Sequence, residues 1–195
     1  MKKILYVDCC IRKESRTQTL AQNLLKTVNK DIEVVHLKLT NLDLKPLINE
    51  RFKQREELLA EENLTHQQFK YAHQFAKADH IIIAAPFWDL SFPSLLKIYI
   101  ENCAVDGITF KSTDKGLQGL CTANNLIYLT TRGGFYQGKP EDQATPYLKH
   151  ICTFFGIKNF YSIAADGMDI VGHDAKTTLE IAQKDAEKLG KKLFK

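Results

Sequence analysis

Residues 81–101 read IIIAAPFWDLSFPSLLKIYIE. The opening run, Ile81-Ile82-Ile83-Ala84-Ala85, is rich in β-branched residues and has no polar alternation. Such a run suits a strand covered on both faces, as in the middle of a parallel sheet. Pro86 cannot donate to a sheet ladder, so the strand ends there. Phe87, Trp88 and Leu90 crowd the short loop that follows, and Pro93 sets up a helix with Leu96, Ile100 and Cys103 at helical spacing. A buried strand, an aromatic loop and a helix predict a crevice at the carboxyl end of a parallel sheet, where such folds bind small molecules. An ordinary core βα unit with packing aromatics gives the same local pattern.

Outward from this stretch the chain alternates strands and helices. Towards the N-terminus, Ile4 to Val7 predicts a central first strand, and Leu20, Leu24 and Val28 mark one face of a helix. Ile32 to Leu39 alternates as an edge strand, and Phe69, Ala72 and Ala76 mark a helix before Ile81. The charged residues from Arg51 to Glu62 lead to that helix. Towards the C-terminus, Asp106 to Leu120 is a loop or short hairpin excursion, and Asn125 to Thr131 is a fourth strand closed by Arg132-Gly133-Gly134. A helix over 143–155, a strand over 160–164 and a helix carrying Ala175, Leu179, Ala182, Ala186 and Leu189 complete the series. Five strands alternating with helices predict one doubly wound α/β domain over residues 1–195.

Composition narrows the function classes. The 195 residues carry a net charge of +4 with no basic run, which argues against a nucleic-acid surface. No apolar run reaches membrane-spanning length, and the start at Met1 lacks the pattern of a signal peptide. Five cysteines at irregular spacing predict reduced thiols in the cytoplasm. The adjacent Cys9 and Cys10 read as small buried residues at a strand end, with a redox-active pair as the less favoured alternative. The six histidines show no metal-ligand spacing, so no metal is expected.

Neither a dinucleotide fingerprint nor a Walker phosphate loop is present. The loop after the first strand instead places Ser15, Arg16, Thr17 and Thr19 where a helix begins. Hydroxyls, a guanidinium and free N–H groups at a helix N-terminus suit a phosphate monoester. A plain helix cap would use the same residues.

APFWDLSFPSLLKIYIENCAVDGITF, over 85–110, with TTRGGFYQGKPEDQATPYLKHICTFFGI, over 130–157, resembles the FMN-dependent NAD(P)H azoreductase and quinone reductase family. The resemblance covers nearly the whole chain and implies a flavodoxin-like three-layer sandwich with sheet order 2-1-3-4-5. It implies an FMN phosphate held by Cys10, Ser15, Arg16 and Thr17, and a flavin ring against Pro86, Phe87, Trp88, Asp89 and Leu90. Thr131, Arg132, Gly133 and Gly134 would close over the ring edge, the glycines giving close approach and positive φ. It further implies NADH or NADPH as hydride donor, a quinone, azo or similar acceptor, a ping-pong cycle without an obligatory catalytic side chain, and a homodimer. Tyr136 would line the pocket or donate a proton, or simply lie at the surface.

Two departures from the family pattern stand out. Cys10 replaces a usual serine, and Asp89 replaces a usual asparagine, where a carboxylate beside the flavin would lower its potential. A flavodoxin-type electron carrier and a flavin-free regulatory member of the fold remain as alternatives.

Overall fold

The computed structural model describes residues 1–194. Strands β1 (Lys3–Asp8), β2 (Glu33–Lys38), β3 (His80–Ala84), β6 (Asn125–Thr131) and β7 (Asn159–Ala165) form one parallel sheet in the order β2-β1-β3-β6-β7. Between them run helices α1 (Arg16–Leu25), α2 (Asn49–Ala60), α3 (Lys70–Ala76), α4 (Ser94–Cys103) and α5 (Ala144–Phe154), with α6 (Ala175–Leu193) last. The short antiparallel hairpin of β4 (Phe110–Thr113) and β5 (Gly116–Gly119) stands apart from the main sheet. With that excursion set aside, the strand order is the expected 2-1-3-4-5.

Alternation of side chains across each strand builds two cores. One face sends Leu5, Val7, Ile81, Ile83, Leu126 and Tyr128 against Phe75, Leu96, Tyr99 and Leu148 of α3, α4 and α5. The other sends Ile4, Tyr6, Ile82, Ile127 and Leu129 against Leu20 and Leu24 of α1 and Ala182 and Ala186 of α6. Every residue of β3 is buried, which is why its sequence shows no polar alternation.

Two boundaries differ from the sequence reading. Helix α1 ends at Leu25, so Val28 packs on the core from a turn beyond it. Residues 49–60 form a helix that the sequence reading did not place, because Leu58 is its one buried residue and no apolar stripe announces it. Its strong helix formers carry it. It is pinned instead by arginines: Arg51 Nη2 donates to Asn102 Oδ1 at 2.9 Å, and Arg55 Nη2 donates to the Ala104 carbonyl at 2.8 Å.

Candidate active site

A cleft of about 720 Å³ opens at the carboxyl edge of the sheet, where the loops after β1, β3 and β6 meet. Its size is within the range of small-molecule sites. Of the predicted residues, the cleft brings together Ser15, Arg16, Thr17, Pro86, Phe87, Trp88, Thr131, Arg132 and Gly133.

The first wall is the start of α1. Ser15 caps the helix, its Oγ accepting the Gln18 N–H at 3.2 Å. Among the described residues, no backbone carbonyl receives the N–H groups of residues 11–17. Those of Arg16 and Thr17 therefore leave the helix end towards the cleft unpaired, with the positive end of the helix dipole behind them. Arg16 uses one nitrogen, Nη1, to donate to the Met168 carbonyl at 3.1 Å and to Asp169 Oδ1 at 2.9 Å. That fixes the guanidinium on the loop after β7. Thr17 is buried and shares a 2.7 Å hydroxyl hydrogen bond with Thr131 at the end of β6.

The second wall is aromatic. Phe87 packs on Tyr136, with ring centroids 4.8 Å apart, and the Arg132 guanidinium lies 5.3 Å from the Phe87 ring centre. Tyr136 is thus half-buried beside the cleft wall rather than free at the surface. Trp88 and Ser91 exchange two backbone hydrogen bonds, of 2.9 and 2.8 Å, around a two-residue turn. The turn residues Asp89 and Leu90 have φ of 48° and 64°, the type I′ pattern that ordinarily takes Asn-Gly.

Four predicted residues do not line this cleft. Cys10 is wholly buried behind the first loop, its Sγ 3.7 Å from the Ala84 carbonyl. Burial pushes both the Cys9 and Cys10 thiols up to about 12, so neither is a thiolate near neutrality. Both are free thiols. Asp89 and Leu90 sit at the exposed tip of the turn, and Asp89 lines a separate hollow with Trp88, Phe92 and Tyr147. Gly134 lies beyond the cleft, against Tyr136.

The glycine pair also works differently from the expectation. Neither Gly133 nor Gly134 has positive φ. A Cβ on Gly133 would stand 2.8 Å from Oδ2 of the exposed Asp169 side chain, which must shift to admit it, and one on Gly134 would stand 2.9 Å from the Tyr136 ring.

The sequence reading missed the carboxylates around these loops. Asp166 and Asp169 follow directly on β7, and Asp142 precedes α5. Their place after a predicted strand, at the same sheet edge as the other loops, was the available signal.

The cleft fits flavin mononucleotide. Unpaired helix N–H groups and the Arg16 nitrogens left over by its two bonds suit a phosphate. The Pro86–Trp88 wall suits a flat apolar ring, and the side-chain-free backbone at Gly133 suits its polar edge.

A doubly wound sheet in this order, with its cleft at the strand ends, defines the flavodoxin-like class of α/β proteins. A family model described as "Flavodoxin-like fold" matches residues 2–190. The chain is 37% identical to FMN-dependent NADH:quinone oxidoreductase 2 of Clostridium perfringens, across 98% of this chain and 100% of that protein. It is 33% identical to the FMN-dependent NADH:quinone oxidoreductase of Caldicellulosiruptor bescii, across 98% and 99%. Among solved structures, azoreductase from Bacillus anthracis str. Sterne superposes with a TM-score of 0.88 at 24% identity, covering 99% of this chain and 100% of that chain. An FMN-dependent NADH-azoreductase from Bacillus anthracis str. Ames Ancestor, solved in complex with FMN, gives 0.87 at 20% identity, covering 100% of both. These structures share the fold, and the curated relatives share more than a third of the sequence or close to it. The chain belongs to the family of the FMN-dependent NADH:quinone oxidoreductases.

Proposed function

We propose that this protein holds FMN in the cleft and reduces quinone, azo or related acceptors at the expense of NADH. The observation that carries the reading is the convergence of the unpaired N–H groups of α1 and the aromatic wall of Pro86–Trp88 on one cleft. When bound, FMN supplies the two-electron transfer between nicotinamide and acceptor. The residues of the chain bind and orient.

The Ser15–Thr17 turn takes the phosphate through backbone N–H groups and the free nitrogens of Arg16. Pro86, Phe87 and Trp88 exclude water from one ring face, and the backbone from Thr131 to Gly133 meets the polar ring edge. Cys10 supports the first loop from behind and makes no phosphate bond. No protein nucleophile is needed, and donor and acceptor use the same place in turn, which makes the cycle ping-pong.

Trp88, Leu90 and Phe135 are exposed by 39%, 43% and 46% around the cleft side of the molecule. A second copy of the chain covering them makes the protein a homodimer. No helix among the described residues is long and apolar enough to cross a membrane, and all five cysteines are free, in keeping with a cytoplasmic site of action.

Purified protein carrying a yellow flavin spectrum, with FMN released on denaturation, is the expected result. Steady NADH oxidation with a quinone and parallel double-reciprocal lines complete the test. Colourless protein that takes up no added FMN removes the cofactor assignment, and flavin without NADH turnover points to an electron carrier.

A further inference from the structure

Arg132 is 1% exposed, yet it carries a charge at the end of the central sheet. Its Nη2 donates to Asp142 Oδ2 at 2.6 Å and to Thr145 Oγ1 at 2.8 Å, and its Nη1 donates to Asp166 Oδ1 at 3.3 Å. Burying a guanidinium with two carboxylates costs desolvation that an apolar trio would avoid, so such a cluster is weak evidence of stability alone.

The connections from the cluster lead to the cleft. Asp166 Oδ2 accepts the backbone N–H groups of Tyr136 and Gln137, each at 2.7 Å. Tyr136 packs on Phe87, and the Arg132 guanidinium also lies against the Phe87 ring, 5.3 Å from its centre. Asp142 Oδ1, opposite, accepts the Thr145 N–H at 3.0 Å in the first turn of α5. One buried fork therefore ties the start of α5, the end of β7 and the 133–137 loop to the aromatic wall.

We infer that Arg132 is a positioning residue: through Asp166 it sets the Tyr136–Gln137 turn and the Phe87 ring, and so governs how the cleft grips the flat ring rather than the phosphate tail. The inference rests on the FMN reading for its ligand but not for its geometry. The guanidinium serves the two carboxylates from separate nitrogens held at a fixed spacing, a geometry that the single ammonium of a lysine does not reproduce.

The test uses the full chain with Arg132→Lys, and with Asp166→Asn in case the first variant fails to fold. In the flavin-free protein, amide exchange at Tyr136 and Gln137 should accelerate at least tenfold, while amides in β1 and β3 hold. Titration with riboflavin and with FMN should show both weakened about tenfold, the size of one misplaced aromatic contact. The ratio of the two dissociation constants, which reports the phosphate end, should stay as in the parent. The fluorescence of bound riboflavin should rise as Phe87 and Tyr136 loosen. Parent-like exchange, affinity and fluorescence with only a lowered melting temperature would overturn the inference and leave Arg132 a structural brace. A parent chain that binds neither flavin overturns the cofactor reading instead, and the exchange measurement still decides the positioning role.

Discussion

Thr17 Oγ1 and Thr131 Oγ1 stand 2.7 Å apart across 114 residues of sequence, joining the start of α1 to the end of β6. The bond closes the floor between the loop after β1 and the loop after β6, and Thr17 is 1% exposed. Replacing Thr17 by Val leaves the Thr131 hydroxyl without its partner, at a cost of about 1 kcal/mol because Thr131 is only half-buried and water reaches it. Replacing both should cost less than the sum of the two single changes, since neither hydroxyl is then stranded. Urea unfolding of the four proteins gives the coupling, and strict additivity would show that the pair does not join the loops.

The turn at Asp89-Leu90 runs against its own sequence preference. Both residues take left-handed φ, which costs a non-glycine residue about 1–2 kcal/mol. A double change to Asn-Gly should raise unfolding free energy by about 1 kcal/mol. If the strained Leu90 side chain is kept for contact with a second copy, the same change should weaken self-association. Denaturation and light scattering on one preparation read both effects. Stabilisation without loss of association would show that Leu90 has no part in the dimer.

Strand β3 was legible because burial on both faces leaves an unbroken apolar run, and Pro86 marks its end in any fold. The doubly wound α/β class followed from alternation, and the strand order from the family resemblance. The aromatic loop and the hydroxyl-rich loop after β1 were legible as residue types at strand ends, but not as directions. Cys10 faces inward because alternation continues two residues past β1, whereas Asp89 is thrown outward by a turn type that its sequence does not favour. Helix α2 was hidden because its anchors are arginines reaching to Asn102 and Ala104, contacts made far along the chain. The Arg132 cluster was equally silent, since its partners come from two distant segments, the start of α5 and the residue after β7.

Gly190 lies where α6 crosses α1. A Cβ there would stand 2.1 Å from Thr27 Oγ1 and 3.0 Å from the Leu24 carbonyl. Alanine gains about 1 kcal/mol in helix propensity at an open site. Here the overlap dominates, and Gly190→Ala should destabilise by about 1–3 kcal/mol. Adding Thr27→Ala removes the nearest atom and should restore part of the loss. Thermal melts that rise on Gly190→Ala would mean that the two helices can separate freely.

At the opposite end of the sheet from the cleft, His80 is buried, and its Nδ1 accepts from Asn125 Nδ2 at 2.8 Å. The orientation of Asn125 is fixed in turn, because its Oδ1 accepts from Asn159 Nδ2 at 3.1 Å. A proton on Nδ1 would face an amide donor. Burial, opposed by nearby Asp79 and reinforced by Lys2, lowers the His80 pKa below its ordinary 6.5. The unfolded chain therefore takes up the proton first as pH falls. The stability this site contributes is complete above about pH 6.5 and declines below it, by at most about 1.4 kcal/mol per pH unit, until the folded value is reached. His80→Gln keeps an acceptor for Asn125 and cannot titrate. Urea midpoints at about pH 7.5 and 5.5 should fall less in that variant than in the parent. Equal falls in the two proteins would assign the acid sensitivity to other groups.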